Sequence, residues 1–514
     1  MIDKFCDKQS NYFRELYNNI LSTSYNNKIT NSNNFDIYDF IRTTEIRHKK
    51  IVNILWDKLI STSYITKSKY SGYYCTSDEN FVQLKDLKQN IVNNKVKYTT
   101  LEDKEVEYIT EDTYMFNASK ELTNKFTKLL GKNILMNKSQ IKEVNNFINL
   151  FNLDSFAITR PKERVYWGIE ASNSKDHIIY VWIEALFNYI SVAVHNYILI
   201  NQSIDSNEYL CKNLSYNLIK KIMKECNFYH VIGKDITKFH CYLYPLLLIA
   251  LDIMPNRLNI IVHNHFLTNK KKMSKSLNNS IDPSSLISKY KLDNIRHYML
   301  VEGPYNKDIE FDVKNIKPSY IKNIAYNFVN LFMRISNRRL FCINDYNTKN
   351  GFEFSVLKNE INPIMNNVIE IINKKIINTN KINNETETTA YQLFDFNLLS
   401  HYTHLILIDL NKFIHSIEPW NVSNNIKNNI ETDINKQKLK EILVFIIETM
   451  RICSIILYPI VPDLTVNFHK LIGVDLNLSV SNIRYFIDKE LHNSSTSVFF
   501  NIDYDRIKDI FIDK

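Results

Sequence analysis

A run of lysines and serines is the first feature of this sequence that could do chemistry. The segment KKKMSKSLNNSIDP, residues 270–283, places four lysines within six residues, with two serines among them. Lysine ammonium groups are compact charges on flexible stems, so they can stabilise the charge that develops on a phosphate during a reaction. Ser274 and Ser276 can hydrogen-bond the neighbouring backbone and fix the shape of the loop. The alternative is a solvated basic loop without function.

The position of the lysine segment favours the phosphate-binding interpretation. It directly follows RLNIIVHNHFLT, residues 257–268, which is predicted to be a strand. Residues 177–194 and 228–253 each have the pattern of a buried strand that turns into a helix. Strands that alternate with helices indicate a parallel α/β sheet, and ligands bind at the carboxyl ends of the strands in such sheets.

Aromatic and polar residues at helical spacing form a second group of candidates. Trp182, Ala185 and Tyr189 lie in the first strand–helix segment, and His240 and Tyr244 lie four residues apart in the second. Residues four apart share one face of a helix. By residue type alone, packing in the core is the favoured interpretation of all five.

The remaining patterns divide the chain into regions. Short aromatic and β-branched runs between residues 64 and 118 predict a small β-rich insertion, and helices are predicted at 118–152. Residues 325–475 have a helical period, interrupted by the polar stretch NTNKINNETETT at 378–389, which predicts a disordered or looped insertion. An α/β body followed by a helical domain is therefore expected.

Composition excludes several classes of protein. The chain has 514 residues and a net charge of +9, which suits a globular protein of two or three domains and is compatible with an anionic partner such as RNA. Seven scattered cysteines form no CxxC pair, so neither a zinc knuckle nor a redox motif is supported and a reducing compartment is expected. The longest apolar run, Ile442–Val461, contains Glu448 and Arg451 and predicts a buried helix and not a membrane span.

Several blocks of sequence resemble one enzyme family. KMSKS at Lys272–Ser276 matches the second signature of class I aminoacyl-tRNA synthetases, and the surrounding blocks are similar to methionyl-tRNA synthetases of the short organellar type. These blocks occur in the family's order and cover nearly the whole chain from Cys6 to about Gly473: FIRTTE (40–45), YSGYYCTSDENFV (70–82), ITEDTYMF (109–116), YVWIEALFNY (180–189), HVIGKDITKFH (230–240), VHNHFLTNKKKMSKSLNNSIDP (262–283) and EGPYNKDIEF (302–311).

The resemblance implies roles for individual residues of the nucleotide and amino-acid sites. Methionine would be bound by Trp182, Ala185, Tyr189, His240 and Tyr244, whose rings could wall a polarisable cavity for a thioether. Leu186 stands where many relatives have proline, which alters the expected shape of this pocket. ATP would be bound by Gly233, Lys234, Asp235, Lys272, Ser274, Lys275 and Ser276.

In this scheme Asp235 would hold the ribose hydroxyls, and Lys272 and Lys275 would be the catalytic residues that contact the triphosphate. ATP is the implied co-substrate, together with Mg²⁺, and no zinc is expected. Asn330 and Arg334 would read base edges of the CAU anticodon, and Trp420 would stack on one of its unpaired bases. A surface Asn–Arg pair and a packed tryptophan are the simpler alternative.

One signature of the family is not found in the sequence. No His-x-Gly-His tetrad occurs, so we expect the chain to lack an N-terminal segment, on the order of fifty or more residues, that carries it. The expected fold is an α/β, incomplete Rossmann-like parallel sheet with a β-rich connective insertion, followed by an all-α anticodon-binding bundle. An incomplete reading of a longer gene is favoured over a truncated product, because the other motifs survive.

The implied activity is ATP-dependent joining of methionine to tRNA(Met). The alternatives are an inactive relative that only binds tRNA, and an unrelated α/β and helical protein. No membrane association is expected, a monomer is expected, and the location is predicted to be the mitochondrial matrix, with the cytoplasm as alternative. The predicted regions are residues 1–62 and 119–270 for the two parts of the catalytic domain, 63–118 for the connective insertion, 271–324 for the lysine loop and stem contact, 325–480 for the anticodon-binding domain and 481–514 for a C-terminal tail.

Overall fold

The computed structural model forms two compact units. It describes residues 2–25, 39–77, 80–82, 84–92, 95–101, 103–150, 155–201, 214–273, 279–305, 307–336, 354–377, 395–476 and 478. We name Asn33–His263 the sheet unit, and Met1–Ser32 together with Asn264–Lys514 the helical unit. The loop predicted at 378–389 and the tail predicted at 481–514 lie outside the described residues.

The sheet unit contains eleven described strands and seven described α-helices. Its strands are β1 Ile65–Cys75, β2 Asn80–Val82, β3 Leu87–Val92, β4 Lys95–Thr100, β5 Glu107–Asn117, β6 Ile134–Leu135, β7 Ser155–Ala157, β8 Thr159–Pro161, β9 His177–Ile179, β10 Asn227–Gly233 and β11 Arg257–His263. Its helices are α2 Ile46–Ile60, α3 Lys120–Leu129, α4 Lys138–Leu150, α5 Val181–Glu184, α6 Asn188–Asn201, α7 Tyr216–Glu225 and α8 Tyr244–Ala250.

The β-rich insertion predicted at 64–118 is confirmed. Its centre is the long antiparallel pair of β1 and β5, whose register runs from Ile65 opposite Phe116 to Tyr74 opposite Glu107. The sheet has the order β2-β1-β5-β7, and β3 and β4 form a separate antiparallel pair.

The sheet unit also contains a small parallel sheet with the order β10-β11-β6. β10 and β11 are in register from Asn227 opposite Arg257 to Gly233 opposite His263, so their carboxyl ends lie side by side. Side chains alternate along β10: His230 is buried, whereas Tyr229 and Val231 are 58% and 69% exposed. This is the alternation expected when only one face of a strand packs on a core.

The expected membership of this sheet was wrong in two places. The strand predicted at the start of residues 177–194 was expected to belong to it, but β9 is three residues long and pairs antiparallel with β8. A short apolar run does not reveal its partner, because both pairings bury it equally well. β6 joins β11 in parallel, although its residues lie in the stretch predicted to be helical. Two residues are too few to show a period.

The core of the sheet unit is built on the apolar face of α2. Ile51, Val52, Leu55, Trp56 and Leu59 are all fully buried. They recur at intervals of three and four residues, which places them on one face of a helix. This face belongs to the same cluster as the buried residues of α6, α7 and α8.

The helical unit contains ten described α-helices and three short strands. Its helices are α1 Ile2–Tyr25, α9 Pro283–Lys289, α10 Leu292–Val301, α11 Ile316–Tyr320, α12 Asn330–Ile335, α13 Lys358–Ile371, α14 Phe396–Ile417, α15 Pro419–Lys427, α16 Thr432–Leu457 and α17 Pro462–Ile472. Its strands are β12 Phe266–Thr268, β13 Lys271–Lys272 and β14 Ile309–Glu310.

The helical domain predicted from residue 325 is confirmed, since the described residues from 325 to 472 that have regular structure are all helical. α16 is its central helix and is buried along most of its length, as the apolar run at 442–461 predicts. The two charges within that run pair with each other: the Arg451 guanidinium donates to Glu448 at 2.8 Å from both Nε and Nη2.

One stretch of the described residues, Val181–Ile200, is long and apolar enough to cross a membrane by length and composition alone. It spans α5 and α6 and is 44% buried within the protein. Core helices of soluble proteins meet the same criteria, so this single stretch is weak evidence for a span.

Candidate functional site

The first three candidate residues lie along one face of the helix that follows β9. This helix runs from Val181 to Asn201 with a 3₁₀ segment, Ala185–Phe187, between α5 and α6. Trp182, Ala185 and Tyr189 are spaced by three and four residues, so they share a face. All three are partly exposed, while the neighbouring Ile183, Leu186, Phe187 and Ile190 are buried.

Tyr189 and His240 are joined by a hydrogen bond whose direction follows from the second ring nitrogen. Tyr189 Oη lies 2.8 Å from His240 Nε2, and the Ile236 carbonyl oxygen lies 3.2 Å from Nδ1. A carbonyl oxygen can only accept, so Nδ1 carries the hydrogen and Nε2 accepts from the tyrosine hydroxyl. Burial lowers the pKa of His240, which favours the neutral ring that this arrangement requires.

Tyr244 completes an aromatic cluster with a residue that the sequence did not single out, His230. The His230 ring lies 4.1 Å from the ring of Tyr189, 5.2 Å from that of Tyr244 and 5.9 Å from that of His240, between centroids. Both nitrogens of His230 and the hydroxyl of Tyr244 are buried without a hydrogen-bond partner among the described residues. Burial, with the nearby His240, lowers the pKa of His230 to about 3, and burial raises that of Tyr244. The inward position of His230 on β10 follows from strand alternation, which was the signal available in the sequence.

Trp182 contacts the same helical segment as Tyr189, but through Phe239 instead of His240. It stacks on Phe239 with centroids 4.5 Å apart and an interplanar angle of 9°. Phe239 directly precedes His240 in a π-helical segment, Lys238–Leu243, which continues into α8. Single π-helical turns are frequent at functional sites because they shift side chains out of the regular helical register. The structure thus brings four of the five proposed methionine contacts to one pair of elements, with Ala185 between Trp182 and Tyr189.

The GKD motif lies at the carboxyl end of the parallel sheet. β10 ends at Gly233, which pairs with His263 at the end of β11, and Lys234 and Asp235 form the 3₁₀ turn that follows. A Cβ added at Gly233 would lie 2.6 Å from Asp235 Oδ1. A side chain at residue 233 would therefore displace the exposed Asp235 carboxylate, which folds back over the backbone of Gly233.

The lysine segment belongs to the helical unit and is described only in part. Lys272 is exposed in β13, opposite Leu267 of β12, and its carbonyl oxygen accepts a 3.0 Å hydrogen bond from Asn279 Nδ2. Ser274, Lys275 and Ser276 lie outside the described residues.

Known proteins resemble the chain over most of its length. The family model for class I tRNA synthetases (M) matches residues 8–336. A probable mitochondrial methionine–tRNA ligase of Dictyostelium discoideum is 30% identical over 481 residues, which are 90% of this chain and 74% of that protein. The corresponding protein of Schizosaccharomyces pombe is 28% identical over 92% of this chain and 78% of its own length. The chain belongs to the methionyl-tRNA synthetases of class I.

A solved structure agrees with this family at the level of the fold. Mycobacterium tuberculosis methionyl-tRNA synthetase, bound by methionyl-adenylate, superposes with a TM-score of 0.68 at 22% identity. The match covers 95% of this chain and 84% of that one. The predicted combination of an α/β body and a helical C-terminal part is therefore confirmed. As a class I synthetase, the protein uses ATP.

The candidate anticodon residues of this synthetase lie in the helical unit. Asn330 and Arg334 are exposed on α12, and the Arg334 guanidinium carbon lies 5.8 Å from the ring centroid of Trp420. Arg334 Nη1 also donates to Asn411 Oδ1 at 3.3 Å. Trp420 is half-buried near the start of α15 and packs on the core of the unit. The structure thus brings Arg334 and Trp420 together and places Asn330 one turn before Arg334.

A resident metal centre has no support from the side chains that the structure describes. Within that part of the chain, no group of three or more His, Cys, Asp or Glu residues is arranged to hold a metal ion.

Proposed function

We propose that this protein is a methionine–tRNA ligase. The observation that carries the proposal is that relatives with this name align with nine-tenths of the chain at 28–30% identity. The methionine carboxylate oxygen attacks the α-phosphorus of ATP, and the bond from that phosphorus to the bridging oxygen breaks, which gives methionyl-adenylate and pyrophosphate. The terminal ribose hydroxyl of tRNA(Met) then attacks the carbonyl carbon, AMP leaves and the hydroxyl proton is released. The alternative that the chain only binds tRNA is not favoured by these relatives.

The methionine side chain is proposed to contact Trp182, Ala185, Tyr189, His240 and Tyr244. The stacked Trp182 and the Tyr189–Tyr244 pair, whose centroids are 5.8 Å apart, supply polarisable ring surfaces that suit a thioether. Burial keeps His240 neutral, so the cluster offers no charge that would attract a polar competitor of similar size. The bond from Tyr189 to His240 fixes the orientation of both rings.

The ATP site is proposed to be formed by Gly233, Lys234, Asp235, Lys272, Ser274, Lys275 and Ser276. Gly233 ends β10 at the carboxyl edge of the parallel sheet, where nucleotides bind in such folds, and Asp235 lies in the 3₁₀ turn that follows. Asp235 would accept hydrogen bonds from the ribose hydroxyls. Lys272 and Lys275 would stabilise charge on the leaving pyrophosphate, and Mg²⁺ would accompany ATP as its counter-ion.

The helical unit is proposed to read the anticodon. Asn330 and Arg334 expose an amide and a guanidinium on one helix, and the Trp420 indole beside them can stack on a splayed base. These three groups together are the types of side chain that recognise single-stranded RNA loops.

The proposed location of the protein in the cell is based on the names of its relatives. Three of them, from Dictyostelium discoideum, Schizosaccharomyces pombe and Neurospora crassa, are probable mitochondrial ligases, while those of Rickettsia typhi and Bacillus subtilis are bacterial. We propose a mitochondrial matrix location, with the cytoplasm as alternative. We also propose a monomer that requires no zinc and is not bound to a membrane.

Methionine-dependent exchange of labelled pyrophosphate into ATP tests the first step. The purified chain is expected to catalyse exchange with methionine and not with leucine, and then to charge a tRNA transcript that bears a CAU anticodon. A chain that binds this transcript but shows no exchange would contradict the ligase proposal and support the binding-only alternative.

A further inference from the structure

Three buried polar side chains form a closed hydrogen-bonded group behind the proposed methionine pocket. His48 of α2 lies with Nε2 2.8 Å from Glu184 Oε2 and Nδ1 2.9 Å from Ser191 Oγ. His48 and Ser191 are fully buried, and Glu184 is 5% exposed. No residue of this group was among the candidates from the sequence.

The protons of this group can be placed from its acceptors. A carboxylate can only accept, so His48 Nε2 carries a hydrogen and donates to Glu184. Ser191 Oγ lies 2.9 Å from His48 Nδ1 and 3.1 Å from the carbonyl oxygen of Phe187, and its single hydrogen can serve either one. The bond between His48 and Glu184 is made in both arrangements. Loss of the His48 ring would leave the buried Glu184 carboxylate without this donor, which is costly in a low-dielectric interior.

The group spans the irregular part of the helix that carries the pocket residues. Glu184 is the last residue of α5 and Ser191 belongs to α6, while Phe187 ends the 3₁₀ segment between them. Seven residues are close to two helical turns, so Glu184 and Ser191 share a face that is roughly opposite the face of Trp182 and Tyr189. A 3₁₀ segment within a helix is a place where the two flanking parts can rotate relative to each other.

We propose that His48, Glu184 and Ser191 are positioning residues for methionine. His48 braces the helix across its irregular segment, so that Trp182 on one side and Tyr189 on the other face the same thioether side chain. The proposal rests on the proposed function, because it assigns these residues to the amino-acid site of that reaction. The brace acts through the helix and does not touch the substrate itself.

Isothermal titration of the full chain with methionine, and separately with ATP, tests the brace. His48→Ala is expected to raise the Kd for methionine roughly tenfold to a hundredfold, the scale of a misplaced binding group, with little change in the Kd for ATP. His48→Gln, which keeps a donor towards Glu184 but loses the bond to Ser191, is expected to fall between the wild type and His48→Ala. Hydrogen exchange of the amides at residues 181–191 is expected to speed up in the same order.

Trp56→Phe is the matched control for a loss of stability alone. Trp56 lies on the same helix as His48, is fully buried, and donates from Nε1 to Asn173 Oδ1 at 2.9 Å, a residue outside the pocket helix. This variant lowers stability and can lower the fraction of competent molecules, which the titration reports as stoichiometry, but it is expected to leave the Kd for methionine unchanged. A purely structural role of His48 would give the same result as Trp56→Phe.

The outcomes distinguish failure of the positioning role of His48 from failure of the proposed ligase function. If the wild type binds methionine and folded His48→Ala binds it equally well, the brace is overturned while the proposed function stands. If His48→Ala does not fold, Ser191→Ala, which removes one hydroxyl and keeps the bond from His48 to Glu184, is titrated in its place, and an unchanged Kd again overturns the brace. If the folded wild type binds no methionine, the proposed function fails and the brace with it.

Discussion

At the scale of single residues, one hydrogen bond, from the Tyr189 hydroxyl to His240 Nε2, orients the rings of the proposed methionine site. Tyr189→Phe removes the donor to His240 Nε2 and keeps the ring. An intramolecular hydrogen bond contributes about 1 kcal/mol, so the KM for methionine in pyrophosphate exchange is expected to rise about fivefold to tenfold, with a smaller change in the KM for ATP.

Tyr216→Phe is the matched control for this change. Tyr216 is a half-buried tyrosine of the same unit whose hydroxyl donates to the carbonyl of Leu251, so the variant also loses one tyrosine bond. It is expected to leave the KM for methionine unaltered. Equal effects of the two substitutions would show that Tyr189 has no special role in methionine binding.

His230 makes the stability of the aromatic cluster around Tyr189 dependent on pH. Burial lowers its pKa from 6.5 to about 3, so the folded state holds it neutral while the unfolded chain takes up a proton below pH 6.5. Its contribution to stability is therefore complete above pH 6.5 and is lost as the pH falls towards 3, at about 2 kcal/mol between pH 6.5 and 5. The phenyl ring in His230→Phe does not titrate, so the fall in unfolding free energy over that range, measured by urea unfolding, is expected to be smaller in the variant. Equal pH dependence in both proteins would refute this assignment.

At the scale of elements, the sequence predicts the long or strongly patterned segments and misses the short ones. α2 and the pair β10–β11 were predictable, because Ile51, Leu55 and Leu59 have a helical period and both strands are apolar runs followed by turn residues. β6 has only two residues and no period. β9 was identified as a strand, but only its contacts with β8 reveal the antiparallel pairing.

The same limit applies to the candidate site. Tyr189, His240 and Tyr244 were identified by resemblance, and the structure gathers them around one helix pair. His230 lies in an apolar run and His48 lies beside charged residues, and the sequence alone does not reveal the side chains that either histidine contacts. The bond from His48 to Glu184 joins residues that are 136 positions apart, and such a pair is set by tertiary packing.

The backbone that leads into α13 is stabilised by a carboxylate from α16. Glu441 of α16 accepts from the backbone N–H groups of Ser355, Val356 and Leu357, at 2.8–3.1 Å, just before α13 begins. Burial alone would raise the pKa of Glu441, but these bonds outweigh it and hold the pKa below its usual value. The resulting stability is present above pH 4.5 and is lost as the pH falls through the lowered pKa.

Glu441→Gln is expected to destabilise the protein by about 2 kcal/mol at pH 7, because an amide accepts less strongly and turns a donor towards some of these N–H groups. Urea unfolding measures the change, and the difference from the wild type is expected to shrink towards pH 3. Glu370→Gln on α13 is the control, since this exposed carboxylate pairs only with Lys374, four residues further along the chain, among the bonds described for it. A Glu441→Gln protein as stable as Glu370→Gln would contradict the capping role.

At the scale of the whole molecule, the proposed roles are divided between the two units. The proposed methionine contacts all lie in the sheet unit, and the proposed anticodon contacts all lie in the helical unit. A substitution at the anticodon residues should therefore change tRNA affinity without changing methionine activation. Trp420→Ala removes the stacking ring and the partner of the Arg334 guanidinium, and it is expected to weaken binding of a CAU transcript by about 1–3 kcal/mol.

Two further variants separate stacking from packing, because Trp420 also contacts the core of the helical unit. Trp420→Phe keeps an aromatic face and is expected to retain part of the affinity. Val422→Ala, a buried position two residues along the same helix, weakens the packing of α15 without removing a ring and is expected to bind the transcript normally. Filter binding at fixed salt gives the affinities, and pyrophosphate exchange is measured in parallel. If Val422→Ala and Trp420→Ala lose tRNA affinity equally, the tryptophan acts through the fold of α15, and stacking on a base is refuted.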